Sequence, residues 1–295
     1  MKEFICNLCP RQCHALRGES GSGFCGMGSD PVIARAAPHY DEEPVISGTK
    51  GSGAIFFSGC SLRCRFCQNY CISTENYGQR ISVERLREIC LELIEQGVHN
   101  INFVNPTHYT HAVLRAIGDG LRVPVVWNTG GYERVETIRA LEGKVQVYLP
   151  DLKYIRTDAA ARYSSAPDYF AFAAPAIREM LRQTGDAVMD ENGLMVRGTM
   201  IRHLILPGRA SESMEILSWI HENLPGAWVS LMAQYVPAGT AEGLDELGRR
   251  LTQDEYDMVA EHLMDLGFED GFVQELSSSD ERYIPHFDLT GVFKP

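Results

Sequence analysis

The sequence predicts an α/β fold: a partial (β/α)6 barrel, TIM-like in plan, preceded by a small cysteine-rich module. Three observations predict it. Short, mostly continuous apolar runs alternate about six times with amphipathic stretches, the pattern of parallel strands covered on both faces. The roughly 220 residues from 53 to 276 are few for a closed eight-unit barrel, typically about 250. Residues 1–30 are rich in Cys, Gly and Arg and carry no long periodic pattern. An open doubly wound sheet is the alternative arrangement of the same elements.

Taken in order, residues 31–52 read as a Pro/Gly-containing connection. Strands are predicted at 53–58, 100–105, 123–127, 145–150, 198–206 and 227–233. Ser82 is placed to cap a helix running to Gln96. Its Leu86, Ile89, Cys90, Leu93 and Ile94 form one apolar stripe, and Gly97 stops it. Further helices are expected near 108–118, 133–141, 175–184, 211–223 and 252–265, the last opening on the capping-box pair Thr252 and Glu255. Asn192-Gly193, between two apolar segments in 187–196, signals a type I′ hairpin ahead of the fifth strand. Residues 277–295 form a polar C-terminal tail, expected either to cover the barrel mouth or to lie outside it.

The chain has 295 residues, with 44% hydrophobic and 22% charged, which is ordinary for a globular protein and excludes a disordered one. Its net charge of −12 repels a phosphate backbone and argues against nucleic-acid binding. No apolar run approaches the roughly 20 residues a membrane span needs. The N-terminus lacks the apolar core of a signal peptide, so the expected compartment is the cytoplasm. Seven of the nine cysteines fall in two tight clusters, and in a reducing cytoplasm clustered thiols bind metal more often than they pair.

Cys60, Cys64 and Cys67 form C-x3-C-x2-C directly after the first strand of the barrel. Three thiolates on one short loop can ligate three irons of a 4Fe-4S cluster and leave the fourth open. An open iron can take the amino and carboxylate groups of S-adenosylmethionine, whose sulfonium then lies beside a cluster able to donate an electron. Gly59 and Ser61 suit a chain folding tightly around such a cluster. Phe66 either stacks on the adenine or simply packs. A zinc site with Cys71 as fourth ligand, a set of buried structural thiols and a redox disulfide are the competing readings.

GCSLRCRFCQNYC after a strand resembles the signature of the radical S-adenosylmethionine superfamily. With CNLCPRQC, VNPTHY, LPDLKY and IRHLILPG, the chain resembles pyruvate formate-lyase activating enzymes over nearly its whole length. It is most similar to uncharacterised relatives of those enzymes that have an extra N-terminal cysteine cluster. The resemblance implies an enzyme that cleaves S-adenosylmethionine reductively and takes a hydrogen atom from a partner, such as a glycyl radical protein. It also implies flavodoxin or ferredoxin as electron donor. A radical enzyme acting on a small molecule or another peptide, and a non-catalytic iron–sulfur carrier or sensor, stay open as alternatives.

In a β/α barrel the chemistry gathers at the C-terminal strand ends. Those ends read Asn105, Pro106, Thr107 and His108; Asn128, Thr129, Gly130 and Gly131; Asp151 and Lys153; Arg202; Gln234 and Tyr235. A zwitterionic cofactor with a ribose needs such donors and acceptors. Where the activating enzymes carry Gly-Gly-Glu for the cofactor's amino group, this chain has Asn105-Pro106-Thr107, so carbonyls near Asn105 or the side chains of Thr107 and His108 are expected to substitute. Asn128 replaces the family's Asp, and Gln234–Tyr235 its His. The resemblance assigns Lys153 and Arg202 to the cofactor's carboxylate or ribose, with Asp151 beside them. His203, on the alternate strand face, reads as a satisfied core histidine.

Cys6, Cys9, Cys13 and Cys25 give C-x2-C-x3-C-x11-C, which suits a second 4Fe-4S cluster or tetrahedral zinc. Arg63 and Arg65 flank Cys64 and form a local positive dock for an acidic electron carrier, or merely solvated loop charges.

Overall fold

The structure is a computed structural model and describes residues 3–278 and 285–294. Part of the predicted C-terminal tail, residues 279–284 and 295, therefore lies outside the described residues. At the N-terminus β1 (Phe4–Ile5) and β2 (Leu16–Arg17) make a small antiparallel ribbon of their own. β3 (Val32–His39) comes next, then α1 (Pro44–Ser47) and β4 (Ser52–Phe57). The loop after β4 carries α2 (Tyr70–Ser73) and β5 (Gln79–Arg80). The repeating part continues as α3 (Val83–Glu95), β6 (Ile101–Val104), α4 (Thr110–Ile117), β7 (Val125–Thr129), α5 (Val135–Arg139) and β8 (Val147–Pro150). It closes with α6 (Thr157–Ser164), α7 (Tyr169–Thr184), β9 (Val188–Met189), β10 (Met195–Leu204), α8 (Ala210–Asn223), β11 (Trp228–Met232), α9 (Gln253–Leu266) and β12 (Gly271–Val273).

The main sheet runs β12-β11-β10-β8-β7-β6-β4-β3-β5, with β9 paired to β10. The six predicted strands are all present, all parallel and adjacent in chain order. That order is a partial barrel; a doubly wound sheet would reverse direction part-way.

Each strand alternates between two environments. Trp127, Tyr148, Ile201 and His203 point outward to the helices, while Val126, Val147, Leu149 and Met200 fill the concave inner face. The same alternation carries Asn128, Asp151, Arg202 and Gln234 inward at the C-terminal ends. Ile46 of α1 inserts among the inner apolar residues and closes the far end of the lumen.

The helix signals act as the sequence predicts. Ser82 Oγ accepts the Arg85 amide at 3.1 Å, and the α3 stripe is buried against the sheet. Thr252 and Glu255 form the full capping box of α9. Other expectations need correction. The 31–52 segment is not a mere connection, because β3 pairs antiparallel with β4 over Ile33 to His39. Its Pro38 is tolerated near the rim, where a missing ladder donor costs least. α7 begins at Tyr169, not Pro175, since burial of Tyr169, Ala173 and Ala174 outweighs the proline inside the helix. The hairpin turns over Asp190 to Gly193 with only Gly193 left-handed (φ 75°), so it is not type I′. α6 and β12 are additional, both too short to show a clear period.

Candidate active site

Gly59, two residues past the end of β4, has φ 81°, and a Cβ there would meet Met27 Cγ at 2.3 Å, so the chain turns at this point only as glycine. The turn throws Cys60, Cys64 and Cys67 onto one side of a cavity of about 240 Å³ at the C-terminal end of the sheet. All three are free thiols. Cys60 Sγ accepts the Leu62 amide at 3.3 Å, and Cys64 Sγ accepts the Ser164 hydroxyl at 3.0 Å. Leu62, Phe66 and Ile72 line the same wall. Phe66 packs against Tyr163 and Tyr235 at ring distances of 6.3 and 6.1 Å, so it both packs and faces the cavity. Cys71 does not line the cavity.

Across from the thiols stands a charge network. Arg202 donates from Nε to Asp151 Oδ1 at 3.1 Å, from Nη1 to Glu42 Oε2 at 2.9 Å and from Nη2 to Asn128 Oδ1 at 2.5 Å. Lys153 Nζ donates to Asp151 Oδ2 at 2.5 Å. Glu42 Oε1 in turn accepts from Asn102 and Asn128, each at 3.0 Å. Burial alone would raise the Asp151 carboxyl, but Lys153 and Arg202 more than offset it and hold it below the usual range. Burial would likewise lower Lys153, and the Asp151 carboxylate overcomes it. Both cations are thus charged and partnered, as buried cations must be.

Of the residues expected at the site, Asn105, Asn128, Thr129, Asp151, Lys153, Arg202 and Gln234 line the cavity with the three cysteines and Phe66. Thr107 and His108 do not. Asn105 is left-handed (φ 57°) and turns the chain away from the lumen. Thr107 then donates to the buried Glu133 at 2.5 Å, and His108 bonds the Ser58 carbonyl at 2.8 Å. His203 is the core histidine expected, held by the Leu152 carbonyl at 2.7 Å and Ser213 Oγ at 2.9 Å. Arg63 is no free surface charge: it lies over Phe24 and donates to the Cys25 carbonyl at 3.2 Å. Sequence reasoning missed Glu42, His39, Gln68 and Asn69 on the cavity wall. Only the demand of a buried Arg202 for an anion hinted at Glu42.

The donor set suits a thiolate-bound cluster beside a zwitterionic ligand: three thiols from one loop, two cations, carboxylates and amides. Gly130 keeps room for it, since a Cβ there would meet Leu62 Cδ1 at 3.0 Å and Lys153 Cε at 3.5 Å. Among the described residues no three His, Cys, Asp or Glu side chains converge as a single-ion site.

A profile of the Radical SAM superfamily matches residues 54–163, the stretch from β4 through α6. An uncharacterized protein of Methanocaldococcus jannaschii is 30% identical over 266 residues, covering 87% of this chain and 73% of its own. The chain carries a radical SAM superfamily domain. Among solved structures, a radical SAM methyltransferase from Sphaerobacter thermophilus superposes with a TM-score of 0.50 at 15% identity, over 75% of this chain and 65% of its own. Methylornithine synthase gives 0.48 at 15% identity, over 72% of this chain and 68% of its own. That domain supports cleavage of S-adenosylmethionine by an iron–sulfur cluster, and implies a 4Fe-4S cluster and that cofactor. Among the described residues no helix is long and apolar enough to cross a membrane.

Proposed function

We propose that Cys60, Cys64 and Cys67 bind the 4Fe-4S cluster and that the adjoining cavity holds S-adenosylmethionine. The observation that carries this reading is that three free thiols and the Asp151–Lys153–Arg202–Glu42 network open onto one cavity. Bound there and reduced, the cluster would supply one-electron chemistry to the cofactor's sulfonium, the kind that opens a C–S bond and leads to hydrogen abstraction.

The chain's residues bind and orient. Lys153 and Arg202 receive the carboxylate or ribose, and Asp151 and Glu42 fix both cations in place. Asn128, Thr129 and Gln234 offer hydrogen bonds to the hydroxyls and the amino group. The amino group also has main-chain carbonyls near Asn105, in place of Gly-Gly-Glu. Phe66 and Leu62 keep water from the cluster side. The motif resemblance supports a glycyl radical protein as hydrogen donor and flavodoxin or ferredoxin as reductant, in a reducing cytoplasm.

The test is anaerobic reconstitution followed by reduction with dithionite. Wild type should release 5′-deoxyadenosine and Cys64→Ala should release none. A reducible cluster that neither responds to S-adenosylmethionine nor yields 5′-deoxyadenosine would sink the reading. Deuterium at the glycine of a candidate partner should appear in 5′-deoxyadenosine only if that partner is the donor.

A further inference from the structure

The N-terminal module carries chemistry that the cavity does not use. Cys6, Cys9 and Cys25 are 4%, 8% and 6% exposed, although the module has few apolar residues to bury. The thiols of Cys13 and Cys25 lie within electrostatic reach of Cys6, and those of Cys6 and Cys25 within reach of Cys9. Cys13 Sγ also packs on Gly23, where a Cβ would come within 2.7 Å of it. All four are free.

Beside them lies Arg17, 1% exposed. Its Nη1 points at Cys25 Sγ (3.3 Å) and Cys6 Sγ (3.9 Å). Nε and Nη2 donate to the Gly28 carbonyl at 2.9 and 2.6 Å, and Nη2 also to the His108 carbonyl at 3.1 Å. Among the described residues this guanidinium donates to sulfurs and main-chain carbonyls, and to no carboxylate. A buried cation needs an anion. Thiolates made permanent by a metal centre supply one.

We propose that Cys6, Cys9, Cys13 and Cys25 hold a second iron–sulfur cluster, of the four-iron, four-sulfide class, whose negative charge Arg17 balances. Single-ion zinc needs its sulfurs drawn in to about 2.3 Å from one centre. A cubane gives each thiolate an iron of its own, and either centre would carry the negative charge that Arg17 faces. The module is seated on the catalytic loop. Arg63 bonds the Cys25 carbonyl, Arg11 Nε bonds the Ser61 carbonyl at 2.8 Å, and Met27 packs on Gly59.

The test separates this site from the catalytic one. A variant carrying Cys60→Ala, Cys64→Ala and Cys67→Ala, reconstituted anaerobically with iron and sulfide, should keep about half the iron and acid-labile sulfide of wild type. Reduced by dithionite, it should give a cluster signal in electron paramagnetic resonance. Adding Cys6→Ala and Cys9→Ala should remove that signal and the remaining iron. Arg17→Met in the triple variant should shift the cluster's midpoint potential negative, with Arg17→Lys restoring it. A triple variant that binds no iron, or takes up zinc without labile sulfide, overturns the cluster. An unchanged potential in Arg17→Met overturns the role of Arg17. Failure of wild type to cleave S-adenosylmethionine bears on the other site alone.

Discussion

Glu133 is fully buried and accepts the hydroxyls of Thr107 and Thr129. Burial pushes its carboxyl from 4.5 up to about 7, with the two hydroxyls pulling part of the way back. Below pH 4.5 the folded and unfolded chains both hold the proton. Between 4.5 and about 7 only the folded chain keeps it, so stability falls as pH rises through that window. At ~1.4 kcal/mol per pH unit the loss is about 3 kcal/mol, complete above pH 7. Glu133→Gln keeps the acceptor oxygen and removes the titration. Urea unfolding of the metal-free, thiol-reduced protein, read by tryptophan fluorescence, should show the variant gaining about 3 kcal/mol on wild type between pH 4.5 and 8. A stability difference that stays flat with pH, or moves the other way, refutes the assignment.

Three further outcomes are expected. Lys153→Met should weaken binding of S-adenosylmethionine to the reconstituted enzyme by about tenfold or more, as loss of a charge-assisted bond does; an unchanged Kd by calorimetry would count against Lys153 as a ligand-binding group. Arg202→Met strands the buried Glu42 without its cation and leaves Asp151 with Lys153, and should cost about 3–5 kcal/mol in urea unfolding, part of it recovered by adding Glu42→Gln. Gly131→Ala places a Cβ 2.1 Å from the Asp151 carbonyl at φ 79°, whereas Gly143→Ala (φ 74°) meets nothing within 4 Å. The first should cost at least about 2 kcal/mol more than the second by the same measurement.

Much of the scaffold was legible because its signals are local. Ser82 and Thr252 announce their helices, and apolar runs bounded by turns announce the parallel strands. Asn128, Asp151 and Arg202 were legible as polar residues where apolar strands run out, and the alternation of the barrel wall then turned them inward. Glu42 was not legible, because its meaning comes from Arg202, far along the chain, and its neighbours read as a linker. Thr107 and His108 fall outside the cavity because one left-handed residue, Asn105, redirects the chain, and no spacing rule reports that. Glu133 carries no signal in the sequence beyond opening a predicted helix at 133–141; only the packed structure shows that it is fully buried. β3 was hidden by Pro38, which a rim strand accepts and a central one would not.

The segment 285–294 has a bearing on the order of assembly. Leu289 donates to the Ala34 carbonyl at 3.0 Å and Ala36 to the Thr290 carbonyl at 2.8 Å, strapping this segment along β3. Arg85 grips the Val292 and Phe293 carbonyls, Phe287 sits on Phe56 at 5.5 Å, and Pro285 borders the cavity. The ribosome makes this strap only after the strands are complete. Its hydrogen bonds to β3 and to Arg85 therefore tie late residues to an early strand and an early helix, so the edge of the sheet is secured by contacts of long sequence separation.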